Sequence, residues 1–151
     1  MKHINIIILS IGIISIILTG CTNNLNNEKK INVTKVTSKE TLNDQSISNH
    51  VKELLVKEKE VRDVKAVNTD KEIIVDAAIN HMDRFQLKDI EKRLTKMVEK
   101  ENPNHKVTLS TDKKIFLELE KLEKRISSSK LSKKKLEDEL KKIKSLSNEQ
   151  T

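Results

Sequence analysis

At 151 residues, with 35% apolar and 35% charged residues, a net charge of +7 and two phenylalanines, the chain has material for one small domain with flexible ends and not for a large core. One cysteine excludes an internal disulfide. Both glycines, Gly12 and Gly20, precede Cys21, so phosphate-cradling loops, dinucleotide turns and nucleophile elbows have no glycine to build on beyond it.

The chain opens with Lys2 and an apolar run over 4–18. That run is about 15 residues, short of the roughly 20 that a membrane-spanning helix needs and suited to the core of a secretory signal. Leu18-Thr19-Gly20-Cys21 closes it: Leu18 is fit to fill an apolar pocket, Thr19 and Gly20 leave room for a cut, and a thiolate is the best nucleophile for taking up a lipid. This tetrapeptide resembles the bacterial lipobox. The resemblance implies a signal peptide over 1–20, cleavage between Gly20 and Cys21, and a diacylglycerol with fatty chains such as palmitate on Cys21. Two acyl chains with roughly 30 methylenes at ~0.8 kcal/mol each hold a protein on a membrane. The competing reading is a plain signal or uncleaved anchor with an incidental cysteine.

From 21 to 45 the sequence is polar and asparagine-rich without apolar period, as in a disordered tether. Such a spacer would hold a domain roughly 25 to 30 Å from the bilayer. Ile31, Val33 and Val36 nearly alternate and offer a short strand as the alternative.

Over 46–129 the periodicity predicts an α+β domain in the order α-β-β-α-β-α. Ile47, Val51, Leu54 and Leu55 form one helical stripe, with Ser46 or Ser48 placed to cap it. Val61–Asn68 and Glu72–Ile79 read as a β-hairpin joined by Asn68-Thr69-Asp70-Lys71. In the second strand Ile73, Val75, Ala77 and Ile79 share a face. The first is less regular: Val64 and Ala66 fall on one side, Val61 and Val67 on the other. Asp83, with Gln86 three residues on, is expected to start a long helix lined by Leu87, Ile90, Leu94, Met97 and Val98 and stopped by Asn102-Pro103-Asn104. Lys106–Ser110 is a short strand, and Asp112 caps a helix striped by Ile115, Leu119, Leu122 and Ile126. Three strands suggest a small sheet with helices packed on one face, plus a C-terminal helix.

Val61-Arg62-Asp63-Val64 followed by Glu72-Ile73-Ile74-Val75-Asp76-Ala77, and Val107-Thr108-Leu109-Ser110-Thr111-Asp112 ahead of a helix, resemble the paired valine-rich strands and the strand-to-helix element of the YhcN/YlaJ-type sporulation lipoproteins. The arrangement is also similar to BON-type modules of envelopes and phospholipid surfaces. This chain departs from the family in lacking its tyrosines and glycines and in having a strongly basic tail. The resemblance implies a lipid-anchored envelope protein of spore-forming bacteria, a structural or interaction module in spore formation or germination. It brings no catalytic residue.

The tail, 130–151, places Leu136, Leu140 and Ile143 at helical spacing among seven lysines: Lys130, Lys133, Lys134, Lys135, Lys141, Lys142 and Lys144. It reads as a solvated helix packed on the domain, as a basic element that meets an anionic surface, or as a coiled-coil seam. The second reading makes those lysines the candidate contacts with anionic lipid or wall polymer.

His50, His81 and His105 match no metal spacing, the carboxylates lie among lysines as on a solvated face, and Asp76 reads as exposed. No cofactor and no catalytic or metal site is expected, and the chain is read as non-enzymatic. Phe85 and Phe116 are expected in the core; without Tyr or Trp, stacking on nucleic acid is disfavoured. The expected partners are a membrane through Cys21 and anionic lipid, wall polymer or another envelope protein. The expected location is the extracytoplasmic face of the cell membrane, associated with the spore.

Overall fold

A computed structural model describes residues 34–36, 43–128 and 131–148. The signal, Gly20, Cys21, most of the expected tether and Lys130 lie outside the described residues.

The elements are α1 (Ser46–Leu55), β1 (Val61–Asn68), β2 (Glu72–Ile79), a 3-10 helix (His81–Gln86), α2 (Leu87–Glu101), β3 (Lys106–Ser110), α3 (Lys113–Ser128) and α4 (Lys133–Asn148). The sheet order is β1-β2-β3, with β1 antiparallel and β3 parallel to β2. The α+β class, the element order and the apolar stripes agree with the sequence.

The disposition of the helices does not. They cover both faces of the sheet, not one. Val51, Leu55, Ile73, Val75, Ala77, Ile90, Leu94, Val98 and Leu109 form one core between the sheet and the helices α1 and α2. On the opposite face Val67 and Ile74 pack with Ile115, Leu119, Leu122 and Ile126 of α3 and Leu136, Leu140 and Ile143 of α4. The physical reason is that β1 and β2 carry apolar side chains on both sides, and a second helical layer is needed to cover Val67 and Ile74.

A register shift between Val61 and Asp63 resolves the irregular first strand. Arg62 is the extra residue of a β-bulge, so Val61 turns to the same side as Val64 and Ala66, in the first core. Val67 alone of these faces the second.

The helix starts are built differently from the sequence expectation in two places. Neither Ser46 nor Ser48 caps α1: the Ser46 N–H donates to Asp44 Oδ1 at 2.9 Å and the Ser48 N–H to Asn68 Oδ1 at 3.0 Å, so β1 itself satisfies a helix-end amide. Asp83 sits inside the 3-10 turn, and the α-helix begins only at Leu87. Asp112 does cap α3, its Oδ1 accepting from the N–H groups of Lys114 (2.6 Å) and Ile115 (3.3 Å).

Residues assigned to the tether reach into the fold. Val36 is buried in the second core. Its N–H donates to Asn49 Oδ1 at 2.9 Å and its carbonyl accepts from Asn49 Nδ2 at 3.0 Å, so one side-chain amide pairs with it as a neighbouring strand would.

Candidate functional site

The charged residues gather along the outer edge of β1. The Thr69 N–H bonds the Glu72 carbonyl, and antiparallel alternation then turns the N–H groups of Val64, Ala66 and Asn68 away from β2. Each meets a side-chain oxygen: Val64 that of Asp63 at 2.7 Å, Ala66 that of Glu123 at 3.1 Å, and Asn68 that of Gln45 at 3.1 Å. Gln45 Nε2 also donates to the Asn68 carbonyl at 2.8 Å. This edge is closed to another strand.

Glu123 reaches Ala66 from the inner side of α3, and the same Oε1 accepts from Lys52 Nζ of α1 at 3.0 Å. Lys52 Nζ donates again to the Thr34 carbonyl at 2.7 Å. Burial pushes the Lys52 ammonium down from its ordinary value and the Glu123 carboxyl up, and the attraction between them opposes both shifts. The pair ties α1, α3, β1 and residues 34–36 into one junction. Lys52 Nζ and Glu123 Oε1 are thus engaged with each other and with the backbone of Thr34 and Ala66.

Above the junction lies a cleft of about 250 Å³ lined by Thr34, Lys65, Glu120, Glu123, Lys124 and Ser127. Lys65 is largely buried there, 3.3 Å from Asp63 Oδ2 and with its Nζ 5.2 Å from the centre of the Phe116 ring. The wall charges are two cations and two anions, so the cleft carries no net bias for a charged ligand.

Asp76, expected to be exposed, is 1% exposed, because α3 covers its face of β2. Neither carboxylate oxygen has a hydrogen-bond partner among the described residues. Burial pushes its pKa up to about 8, and the charges of Asp112 and Glu91 push the same way. The Ser110 hydroxyl and Asp112 N–H lie close enough to oppose the rise only in part; that N–H is spent on Ser110 Oγ at 3.0 Å.

The lysines of α4 divide into two sets. Lys133 pairs with Asp70 and Lys144 with Glu72, both at 2.9 Å, which fastens the helix to the hairpin end. Lys142 lies 3.5 Å from Glu139 of its own helix. Lys134, Lys135 and Lys141 are exposed and form no ion pair among the described residues.

Phe116 is half-buried, whereas Phe85 is 80% exposed and Met82 81% exposed on the 3-10 turn, contrary to the expectation of a core position for Phe85. His50 and His81 are exposed and His105 half-buried. Among the described residues no three His, Cys, Asp or Glu side chains gather as a metal site, and no helix is long and apolar enough to cross a membrane.

The sequence did contain a signal for the buried pair. Lys52 stands one turn from Ser48 and Leu55, and Glu123 one turn from Leu119 and Ile126, each on the buried side of its helix.

A family model described as sporulation lipoprotein YhcN/YlaJ matches residues 19–144. That span includes Thr19-Gly20-Cys21, the strands β1, β2 and β3 and the greater part of α4. No curated protein and no solved structure matches the chain.

Proposed function

The chain belongs to the YhcN/YlaJ family of sporulation lipoproteins, a spore-related and membrane-associated protein of the envelope, and we propose that it is a non-enzymatic structural or interaction module tethered through a diacylglycerol on Cys21. The observation that carries this is the reach of the family match, which starts two residues before Cys21 and ends within α4. Residues between Cys21 and Thr34 serve as the tether, and the α+β body stands on the extracytoplasmic side of a spore membrane.

The buried Lys52–Glu123 junction supports a structural role, since its groups hold four segments together. The test is mass spectrometry of native protein together with localisation of a Cys21→Ala form through growth and sporulation. The expected result is an acylated amino-terminal Cys21 and loss of membrane retention in the variant. An unacylated chain that keeps residues 1–20 overturns the anchor, and equal abundance in vegetative cells and spores overturns the spore-specific role.

A second reading is favoured by the unpaired set Lys134, Lys135 and Lys141, with the exposed Lys142 beside it: the outer side of α4 as a contact for anionic lipid or wall polymer. Binding to vesicles containing phosphatidylglycerol should fall steeply with salt and be lost on changing those four lysines to glutamine. Binding that is indifferent to salt or to the substitutions rejects it.

A further inference from the structure

The two margins of the sheet differ. At β1 the outward amides of Val64, Ala66 and Asn68 are all occupied by side chains. At β3 the Lys106 N–H bonds the Lys71 carbonyl at 2.9 Å, which fixes the even-numbered amides toward β2 and turns the N–H and C=O groups of Val107 and Leu109 outward. Among the described residues these outward groups have no hydrogen-bond partner. β3 contains no proline, and its register with β2 runs without a shift, so no bulge turns this margin away from a partner.

We propose that this margin is the contact between two copies of the chain, which pair β3 with β3 antiparallel about a two-fold axis at Thr108. The register follows from which groups are free. With Thr108 opposite the partner's Thr108, Val107 lies opposite the partner's Leu109, and Leu109 opposite the partner's Val107. Both are then the closely bonded type of antiparallel pair, and every outward N–H and C=O of Val107 and Leu109 finds a partner. A shift by one residue would set the outward groups of one strand against the inward groups of the other.

The side chains fit the same register. Val107 and the partner's Leu109 make an apolar cross-strand pair on the side of the first core, to which both already belong. Lys106 lies opposite the partner's Ser110 and within diagonal reach of the partner's Asp112, so the exposed cation at each end meets a carboxylate and no like charges are directly opposed. Because β1 is sealed, the pairing joins two three-stranded sheets into one and stops there.

The test uses the full-length chain in detergent. Thr108 and the partner's Thr108 form a non-bonded antiparallel pair with Cα atoms about 4.5 Å apart, within disulfide range. A Thr108→Cys form under mild oxidation is therefore expected to give a covalent dimer of twice the monomer mass. All cross-linking forms carry Cys21→Ser, so that the chain's own thiol takes no part; the Cys21→Ser chain without a further change and its Lys134→Cys form are expected not to. In sedimentation equilibrium Val107→Pro, which removes an outward N–H and none of the internal ladder, should weaken the dimer at least about tenfold. Thr108→Lys, which opposes two cations across the axis, serves the same purpose if the proline form does not fold. A native chain that sediments as a monomer at about 100 μM, a concentration well above a micromolar Kd, overturns the proposal. So does a cross-link equally strong at Lys134→Cys, or a Thr108→Lys form that dimerises as the native chain does.

Discussion

Lys52 Nζ lies 3.0 Å from Glu123 Oε1, with the two side chains 1% and 5% exposed. Attraction in such a setting offsets a large desolvation cost only while both partners are present. Glu123→Ala strands the Lys52 ammonium and the Ala66 N–H, and is expected to destabilise by about 3 to 5 kcal/mol. The double form Lys52→Met, Glu123→Leu should recover much of that loss, since an apolar pair of similar volume escapes the desolvation cost. Urea unfolding of Lys52→Met, Glu123→Leu and the form with both decides it; simple addition of the two single effects would refute the coupling.

Asp76 holds its proton in the folded chain up to about pH 8 and gives it up near 3.8 when unfolded. Between those values the folded state binds one proton more than the unfolded state. The stability it contributes is complete below pH 3.8 and is lost as pH rises toward 8, by up to about 1.4 kcal/mol per pH unit. Asp76→Asn, neutral throughout, should flatten the profile and make the protein more stable than the native chain at about pH 8. Unfolding midpoints of both forms, measured over that range, check the sign; parallel profiles would assign the slope to other groups.

Leu140 is fully buried although it lies in the most basic stretch of the chain. Its environment is the second core, shared with Ile74 of β2 and Leu119 of α3. Leu140→Ala should therefore cost about 2 to 5 kcal/mol in the unfolding of the whole domain, as a core truncation does. A helix merely resting in solvent would give a change within about 0.5 kcal/mol, and thermal unfolding separates the two.

The two phenylalanines should behave oppositely. Phe85 is 80% exposed, so Phe85→Ser should change stability by no more than about 0.5 kcal/mol. Phe116 packs beneath Lys65, and Phe116→Ala should cost about 1 kcal/mol or more through lost packing and the lost cation–π contact. Calorimetry of both forms checks the contrast; equal effects would count against the geometry of the Lys65 contact.

The regular parts of the fold were legible because periodicity reports directly on burial. Ile73, Val75, Ala77 and Ile79 alternate as a strand face, and Ile115, Leu119, Leu122 and Ile126 recur as a helix stripe, and all eight are buried. Periodicity is silent on which layer covers which face, so Ile74 and Val67 did not by themselves announce a second helical layer. Lys52 and Glu123 stand on the buried sides of their helices, but periodicity does not say that their side chains, 71 residues apart in sequence, meet each other at the edge of β1. Arg62 defeated the strand reading for a local reason: one bulged residue inverts the side on which every earlier residue falls. Phe85 was misplaced because a tight turn at His81–Gln86 replaced the first turns of the expected helix and left its ring facing water.

The double amide grip of Asn49 on Val36 has a mechanical consequence. A pull transmitted along the backbone from the amino-terminal side enters the body at Thr34–Val36, where Asn49 and the Lys52 ammonium bear it before any strand of the sheet does. The hold is on the flank of α1 and beside α3, away from the β3 margin. Whatever tension a leash exerts is thus taken up by two side chains at the rim, and the central ladder is left unstrained.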